Sequence, residues 1–309
     1  MPPVSAPRIA IGPAATPAVT AAVRAGGAVV VPAGEPADGL VWLSSTDTVG
    51  LAAILAAAPD IGWVQLPFAG VEAFAAAGLF GDGRVWTCAK ASYAAPVAEH
   101  ALTLALAGLR LLPDRVRARS WGRAAGTSLY EADVTILGAG GITERLLELL
   151  APFRVRATVV RRQAEPVPGA ARVVTLAELP DALPGALVVF LALALTPATR
   201  GVIGAAELAG MDRRAWLVNV ARGGHVVTDD LVAALRAGTI GGAALDVTDP
   251  EPLPDGHPLW DLPNALVTPH TADWPEIVEP LLAERITTNV TRLAAGQSLV
   301  GVVDHAAGY

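Results

Sequence analysis

The sequence predicts an α/β protein with parallel sheets and two domains, on three observations. Residues 134–150 read VTILGAGGITERLLELL: a short apolar run, a glycine turn, then apolar residues at helical spacing, which is how a nucleotide-binding βαβ unit begins. Residues 8–100 alternate short apolar runs with alanine-rich segments, the pattern of strands joined by helical crossovers. The chain has 309 residues, 53% of them hydrophobic and 17% charged, enough for two domains with sizeable cores.

Taken in order, residues 8–11, 28–31, 40–43, 62–66 and 84–87 are the expected strands of the first part, and 16–25, 48–58 and 71–77 its helices. Residues 96–112 (PVAEHALTLALAGLRLL) predict a long helix, with Pro96 in its first turn and Pro113 beyond its end. The first domain boundary belongs near here, and 113–131 is expected to be polar and irregular. A second α/β unit follows, with strands at 134–137, 157–160, 172–175, 187–191, 216–220, 242–245 and 265–268. Residues 228–237 predict a helix started by Thr228 and stopped by Gly238. A last helix is expected over 275–295; if it returns to the first domain, that domain is discontinuous.

Composition excludes several classes. A net charge of −7 disfavours a nucleic-acid partner. Cys88 is the single cysteine, so neither an intrachain disulfide nor a cysteine metal cluster can form, and the sequence suggests no metal site. The N-terminus, MPPVSAPRIAIGPAA, lacks the basic stretch and long apolar run of a secretory signal. Residues 186–195 are the most membrane-like segment and are too short to span a bilayer. A cytoplasmic protein with no membrane partner is the expectation.

In the glycine turn, Gly138 allows a tight bend and Gly140 lets a pyrophosphate approach the backbone. The free N–H groups and dipole at the start of the next helix, around Gly141 and Ile142, would hold the phosphates. Thr143 replaces the third glycine of the usual motif, which implies a slightly wider helix–strand contact. Three polar residues then follow apolar runs: Arg222 after LVNVA, Glu251 in DPEPL after AALDV, and His270 after LVTP. Strand-end residues can converge on one crevice. Singly, Arg222 reads as a surface cation, Glu251 as an exposed carboxylate, and His270 as one histidine beside His100, His225, His257 and His305.

Together they resemble the D-isomer-specific 2-hydroxyacid dehydrogenases, with glyoxylate/hydroxypyruvate reductases and phosphoglycerate dehydrogenases among the candidates. The resemblance rests on Pro96–Leu102 (PVAEHAL), the glycine turn, LTPATRG at 195–201, and the long ordered block from Leu217 (LVNVARGG) through GGAALDVTDPEPLP to HPLWDLPNALVTPH at 270. It implies two Rossmann-like domains, the nucleotide-binding one (residues 99–274) inserted into a discontinuous flavodoxin-like substrate domain (1–98 and 275–309), with the cofactor in a cleft between them. It implies that Arg222, Glu251 and His270 are the catalytic set, that the amides of Ala69 and Gly70 join Arg222 on the substrate carboxylate, and that Thr196, Val220, Ala221 and Asp246 line the cofactor. For Asp246 the competing reading is a structural turn residue. A homodimer is also implied by the resemblance.

The chemistry agrees. Reducing a 2-oxo acid needs a hydride and a proton. His270 can supply the proton, Glu251 can orient its ring, and Arg222 can bind the carboxylate through paired N–H donors. Departures from the family pattern are Thr143, Ala194 and Thr228, and above all Arg161, which stands where NAD-dependent members carry an acid for the ribose hydroxyls. Arg161 and Arg162 predict a preference for NADP, with NAD possible, because guanidinium groups attract a 2′-phosphate. The few cations that could meet a substrate phosphate are Lys90 and Arg84. The expected activity is an oxidoreductase acting on a small 2-oxo or 2-hydroxy acid in the reductase direction; the alternative is a dinucleotide-sensing scaffold on the same fold, since fold alone does not decide function.

Overall fold

The computed structural model describes residues 6–304. His305 and the first five residues of the N-terminal segment lie outside them. The chain divides into two compact units, Met1–Tyr93 with Pro275–Tyr309 and Ala94–Trp274.

In the first unit, β1 (Arg8–Gly12), β2 (Val29–Val31), β3 (Gly39–Trp42), β4 (Trp63–Gln65) and β5 (Val85–Thr87) form a parallel sheet in the order β2-β1-β3-β4-β5, the flavodoxin-like order. Helices α1 (Pro17–Ala25), α2 (Thr48–Ala57) and α3 (Glu72–Ala76) are its crossovers. Two of them begin as sequence chemistry requires: Thr16 accepts from Val19 N–H and Asp47 from Gly50 N–H, satisfying amide donors that a helix start leaves open. Arg84, a candidate phosphate cation, is instead structural. It donates to the carbonyls of Ile61 and Leu55 at 2.9 and 3.1 Å and pairs with Asp82.

The second unit opens with α4 (Ala94–Leu109) and α5 (Leu112–Arg117). The single helix expected over 96–112 is therefore broken, because Leu111 takes a left-handed φ of 54° and Pro113 starts the second helix. The division between units falls before Ala94 and not after residue 98, because α4 is continuous and packs as a whole on the second unit. Its glycine Gly108 makes this possible: a Cβ there would stand 2.3 Å from the Trp216 ring.

Then come β6 (Asp133–Leu137), α6 (Gly141–Leu150), β7 (Arg156–Arg161), β8 (Arg172–Thr175), α7 (Leu179–Ala182), β9 (Val188–Leu191), α8 (Ala205–Gly210), β10 (Trp216–Asn219), α9 (Thr228–Ala237), β11 (Gly242–Leu245) and β12 (Ala265–Val267). The sheet is parallel in the order β12-β11-β10-β9-β6-β7-β8. Counted within the unit this is 3-2-1-4-5-6 with one strand added, the doubly wound nucleotide-binding order. Its strands are buried on both faces, as crossover helices demand. Thr228 opens α9 but does not cap it: its hydroxyl donates to Asp249 O at 2.6 Å, and Val227 holds the cap position. Gly238 ends α9 in the left-handed conformation.

Finally α10 (Pro275–Ala294) returns to the first unit and packs on α1. Fully buried Asn289 donates to Gln65 Oε1 and Val300 O, both at 2.9 Å, and accepts from Val300 N–H at 2.8 Å. Among the described residues, no helix is long and apolar enough to cross a membrane.

Candidate active site

Register places the site. Leu137 pairs with Leu191, Leu191 with Asn219, Asn219 with Leu245, and Leu245 with Val267. The segments that follow, starting at Gly138, Ala192, Val220, Asp246 and Thr268, therefore leave one edge of the sheet side by side. This is the carboxyl edge, where open α/β sheets bind ligands. A cavity of about 140 Å³ lined by Leu111, Trp216 and Asn264 lies at the amino-terminal ends of β10 to β12 and is not this site.

The glycine turn fits a dinucleotide. Gly138 has φ 111°, and a Cβ on it would stand 2.1 Å from Ala192 O, so only glycine suits this bend. Gly140 is exposed with nothing within 4 Å of where a Cβ would be, which leaves a cradle open to a phosphate group. It precedes α6, and no side chain caps that helix start, so its first-turn donors face outward. Thr143, in place of the third glycine, has a bonding role of its own. It is fully buried, and its hydroxyl donates to Gly138 O at 3.0 Å, closing the turn.

Arg161 ends β7 and pairs with Glu165 at 3.0 Å, while Arg162 is exposed beyond it. Thr196 lies in a turn held by Thr199, whose hydroxyl accepts from Thr196 N–H at 2.8 Å and donates to Ala194 O at 2.8 Å. Buried His225 straps this turn to the segment after β10: its ring nitrogens lie 3.0 Å from Thr199 O and 3.1 Å from Leu193 O. Burial pushes its pKa down, and the charges of Arg222 and Arg200 push the same way. Val220 and Ala221 are buried at the end of β10.

Arg222 is set by Asn219, a polar residue at zero exposure in an otherwise apolar strand. Asn219 Nδ2 donates to Arg222 O at 2.9 Å, and its Oδ1 accepts from Ala221 N–H at 3.0 Å. Arg222 itself is half-buried and extended.

His270 and Glu251 meet: Nδ1 of His270 lies 2.7 Å from Glu251 Oε1. His270 sits at φ 51°, a conformation that strains a residue with a Cβ. Asp246 holds it there. Asp246 O accepts from His270 N–H at 2.9 Å, Oδ1 from Thr271 N–H at 2.9 Å and Thr268 Oγ1 at 2.6 Å, and Oδ2 from Ala272 N–H at 3.1 Å. His100 Nε2 is 3.2 Å from Asp246 Oδ1. Burial raises the Asp246 pKa, but these donors outweigh it and bring it to about 2. Asp246 is 2% exposed and ties this turn together, which is the structural role weighed for it in the sequence.

The expected triad therefore lies on adjacent segments, with a histidine–carboxylate pair formed. Ala69 and Gly70 follow β4 in the first unit, with Ala69 exposed. Sequence reasoning missed Asn219, His225, the His100–Asp246–Thr268 cluster and Asp273, whose Oδ1 lies 3.9 Å from His270 Nε2. The signal for Asn219 was present as a polar residue inside an apolar run, and Asp273 stands only three residues after His270; His225 and the His100 cluster depend on contacts distant in sequence.

Comparison with known proteins agrees with this geometry. Residues 100–272 match the family model "D-isomer specific 2-hydroxyacid dehydrogenase, NAD binding domain". The chain is 41% identical over 256 residues to an uncharacterized protein in the proB 3′ region of Corynebacterium melassecola, covering 81% of this chain and 84% of that one. It is 32% identical over 177 residues to glyoxylate/hydroxypyruvate reductase A of Yersinia enterocolitica, covering 57% of this chain and 56% of the reductase, so the match spans just over half of that relative's length. A D-isomer specific 2-hydroxyacid dehydrogenase from Xanthobacter autotrophicus, crystallised with NADPH and MES, superposes with a TM-score of 0.84 at 29% identity, over 99% of this chain and 100% of that one. The chain belongs to the D-isomer-specific 2-hydroxyacid dehydrogenase family.

Proposed function

We propose that the protein reduces a small 2-oxo acid of the glyoxylate or hydroxypyruvate kind to its 2-hydroxy acid, with NADPH preferred over NADH. The observation that carries this is the 2.7 Å His270–Glu251 contact on a turn that Asp246 anchors. When bound, a reduced nicotinamide supplies the hydride. Gly138, Gly140, Gly141 and Ile142 would hold the cofactor's phosphates, and Arg161 and Arg162 its 2′-phosphate. The NADPH-bound relative and the reductase relative support the choice of cofactor and substrate.

The chain's own residues do the rest. Glu251 takes the hydrogen bond from His270 Nδ1–H, which turns Nε2 outward as the proton donor to the substrate's oxo oxygen. Arg222 pairs its planar fork with the substrate carboxylate and polarises the oxo group. Asp246 keeps the imidazole in place through the backbone. The test is a panel of 2-oxo acids assayed with NADPH and with NADH. Turnover of glyoxylate or hydroxypyruvate, faster with NADPH, is the expected result. No turnover of any acid by protein that binds the dinucleotide would overturn the reading and leave the scaffold.

A further inference from the structure

We propose that Asp273 is a specificity-determining residue, selecting 2-oxo acids whose third substituent is a hydrogen-bond donor and rejecting those with a second anionic group. The proposal rests on the functional reading above, because it assigns the substituent that the same site accepts. The mechanism leaves Asp273 unused, yet it stands on the working side of the catalytic histidine. Glu251 occupies Nδ1 at 2.7 Å, and Asp273 Oδ1 lies 3.9 Å from Nε2, the nitrogen left to face the substrate. His270 is thus flanked by two carboxylates with different tasks.

The distance decides what Asp273 can read. A reacting oxygen must come within about 2.6–3.2 Å of Nε2 to receive its proton. Its carbon and that carbon's substituents then lie within a few ångströms of Asp273. This carboxylate is only 25% exposed, and apart from its own backbone N–H it takes no hydrogen bond from another described residue. It retains acceptor capacity for a ligand. Burial, with the nearby charge of Asp246, holds its pKa above the ordinary carboxylate value, and the charges of His270 and Arg222 offset only part of this.

An acceptor in that position favours a 3-hydroxyl, as in hydroxypyruvate, over the bare hydrogen of glyoxylate. It repels the second carboxylate of oxaloacetate, because like charges brought together at a desolvated site are costly. The substrate's own carboxylate is matched by Arg222, so the penalty falls on the other substituent.

The experiment compares kcat/KM for hydroxypyruvate, glyoxylate and oxaloacetate in wild type, Asp273→Ala and Asp273→Asn, with NADPH binding and thermal unfolding as controls for folding. Asp273→Ala should lower the hydroxypyruvate-to-glyoxylate ratio roughly tenfold or more, the worth of a hydrogen bond to a charged acceptor. Asp273→Asn keeps the shape and removes the charge, so whatever it does to His270 for every substrate, it should raise the oxaloacetate-to-glyoxylate ratio of kcat/KM roughly tenfold. If wild type is active and all three substrates change in parallel in both variants, Asp273 acts on His270 alone and this inference is overturned while the functional reading stands. A wild type that reduces none of the three overturns both.

Discussion

His270 occupies a backbone conformation that costs a residue with a Cβ about 1 kcal/mol or more, and three N–H donors bound to Asp246 offset it. The role of each side chain can be separated by substitution. His270→Ala should lower kcat on the order of 10²–10⁴-fold and leave NADPH affinity nearly unchanged, measured by steady-state kinetics and cofactor titration. Arg222→Lys should lower kcat and raise KM for the oxo acid together, since an ammonium lacks the two-donor plane. Asp246 predicts an acid dependence of stability. Its folded pKa of about 2 lies below the ordinary 3.8, so its contribution is complete above about pH 4 and is lost as pH falls toward 2. The size is about 2 kcal/mol. In chemical unfolding, the stability gap between wild type and Asp246→Asn should therefore narrow between pH 4 and pH 2; a gap that persists at pH 2 would mean that packing, not ionisation, sets it.

The strand ends were legible because Arg222, Glu251 and His270 stand after apolar runs in a long ordered motif. Their supports were not. Asp246 takes its partners from residue 100 and from 268–272, and a carboxylate after a strand reads alike whether it binds a ligand or ties a turn. The helices longer than two turns were visible by periodicity, whereas α7 and α8 offer only 4 and 6 residues, too few for the pattern to show. The break between α4 and α5 escaped because the apolar spacing runs on through Leu111 and Leu112. At the end of β7, Arg161 is shared with Glu165, so its contact with a 2′-phosphate competes with an exposed ion pair of small worth. Replacing both Arg161 and Arg162 with alanine should raise KM for NADPH well above any change for NADH; equal changes would remove them from cofactor selection. Gly108→Ala forces a methyl into the Trp216 ring and should cost about 1–3 kcal/mol, read as a lowered Tm with kcat preserved in the folded fraction.

The whole chain has two units of different continuity. Ala94–Trp274 is one uninterrupted stretch, whereas the first unit draws on both ends of the chain. Short apolar runs placed the strands of both sheets to within a residue or two, whereas the strand orders were not legible in them. That the last helix rejoins the first unit rests on its packing against α1 and on the buried bonds of Asn289 with Gln65 and Val300, partners that periodicity does not reveal. Residues 94–274 expressed alone should therefore unfold cooperatively and bind NADPH, whereas residues 1–93 alone should not give a cooperative transition; a well-folded 1–93 fragment would show that α10 is dispensable.

The return of α10 also imposes an order in time. The sheet that leaves the ribosome first waits for its closing helix until the intervening unit has been made, roughly ten to thirty-five seconds at ~5–20 residues per second. During that interval the nascent chain carries one finished domain and one whose α1 lacks the helix it packs against, α10. The inserted unit is born complete. The first unit depends on residues made after the inserted one, and it is the unit a chaperone would have to shield.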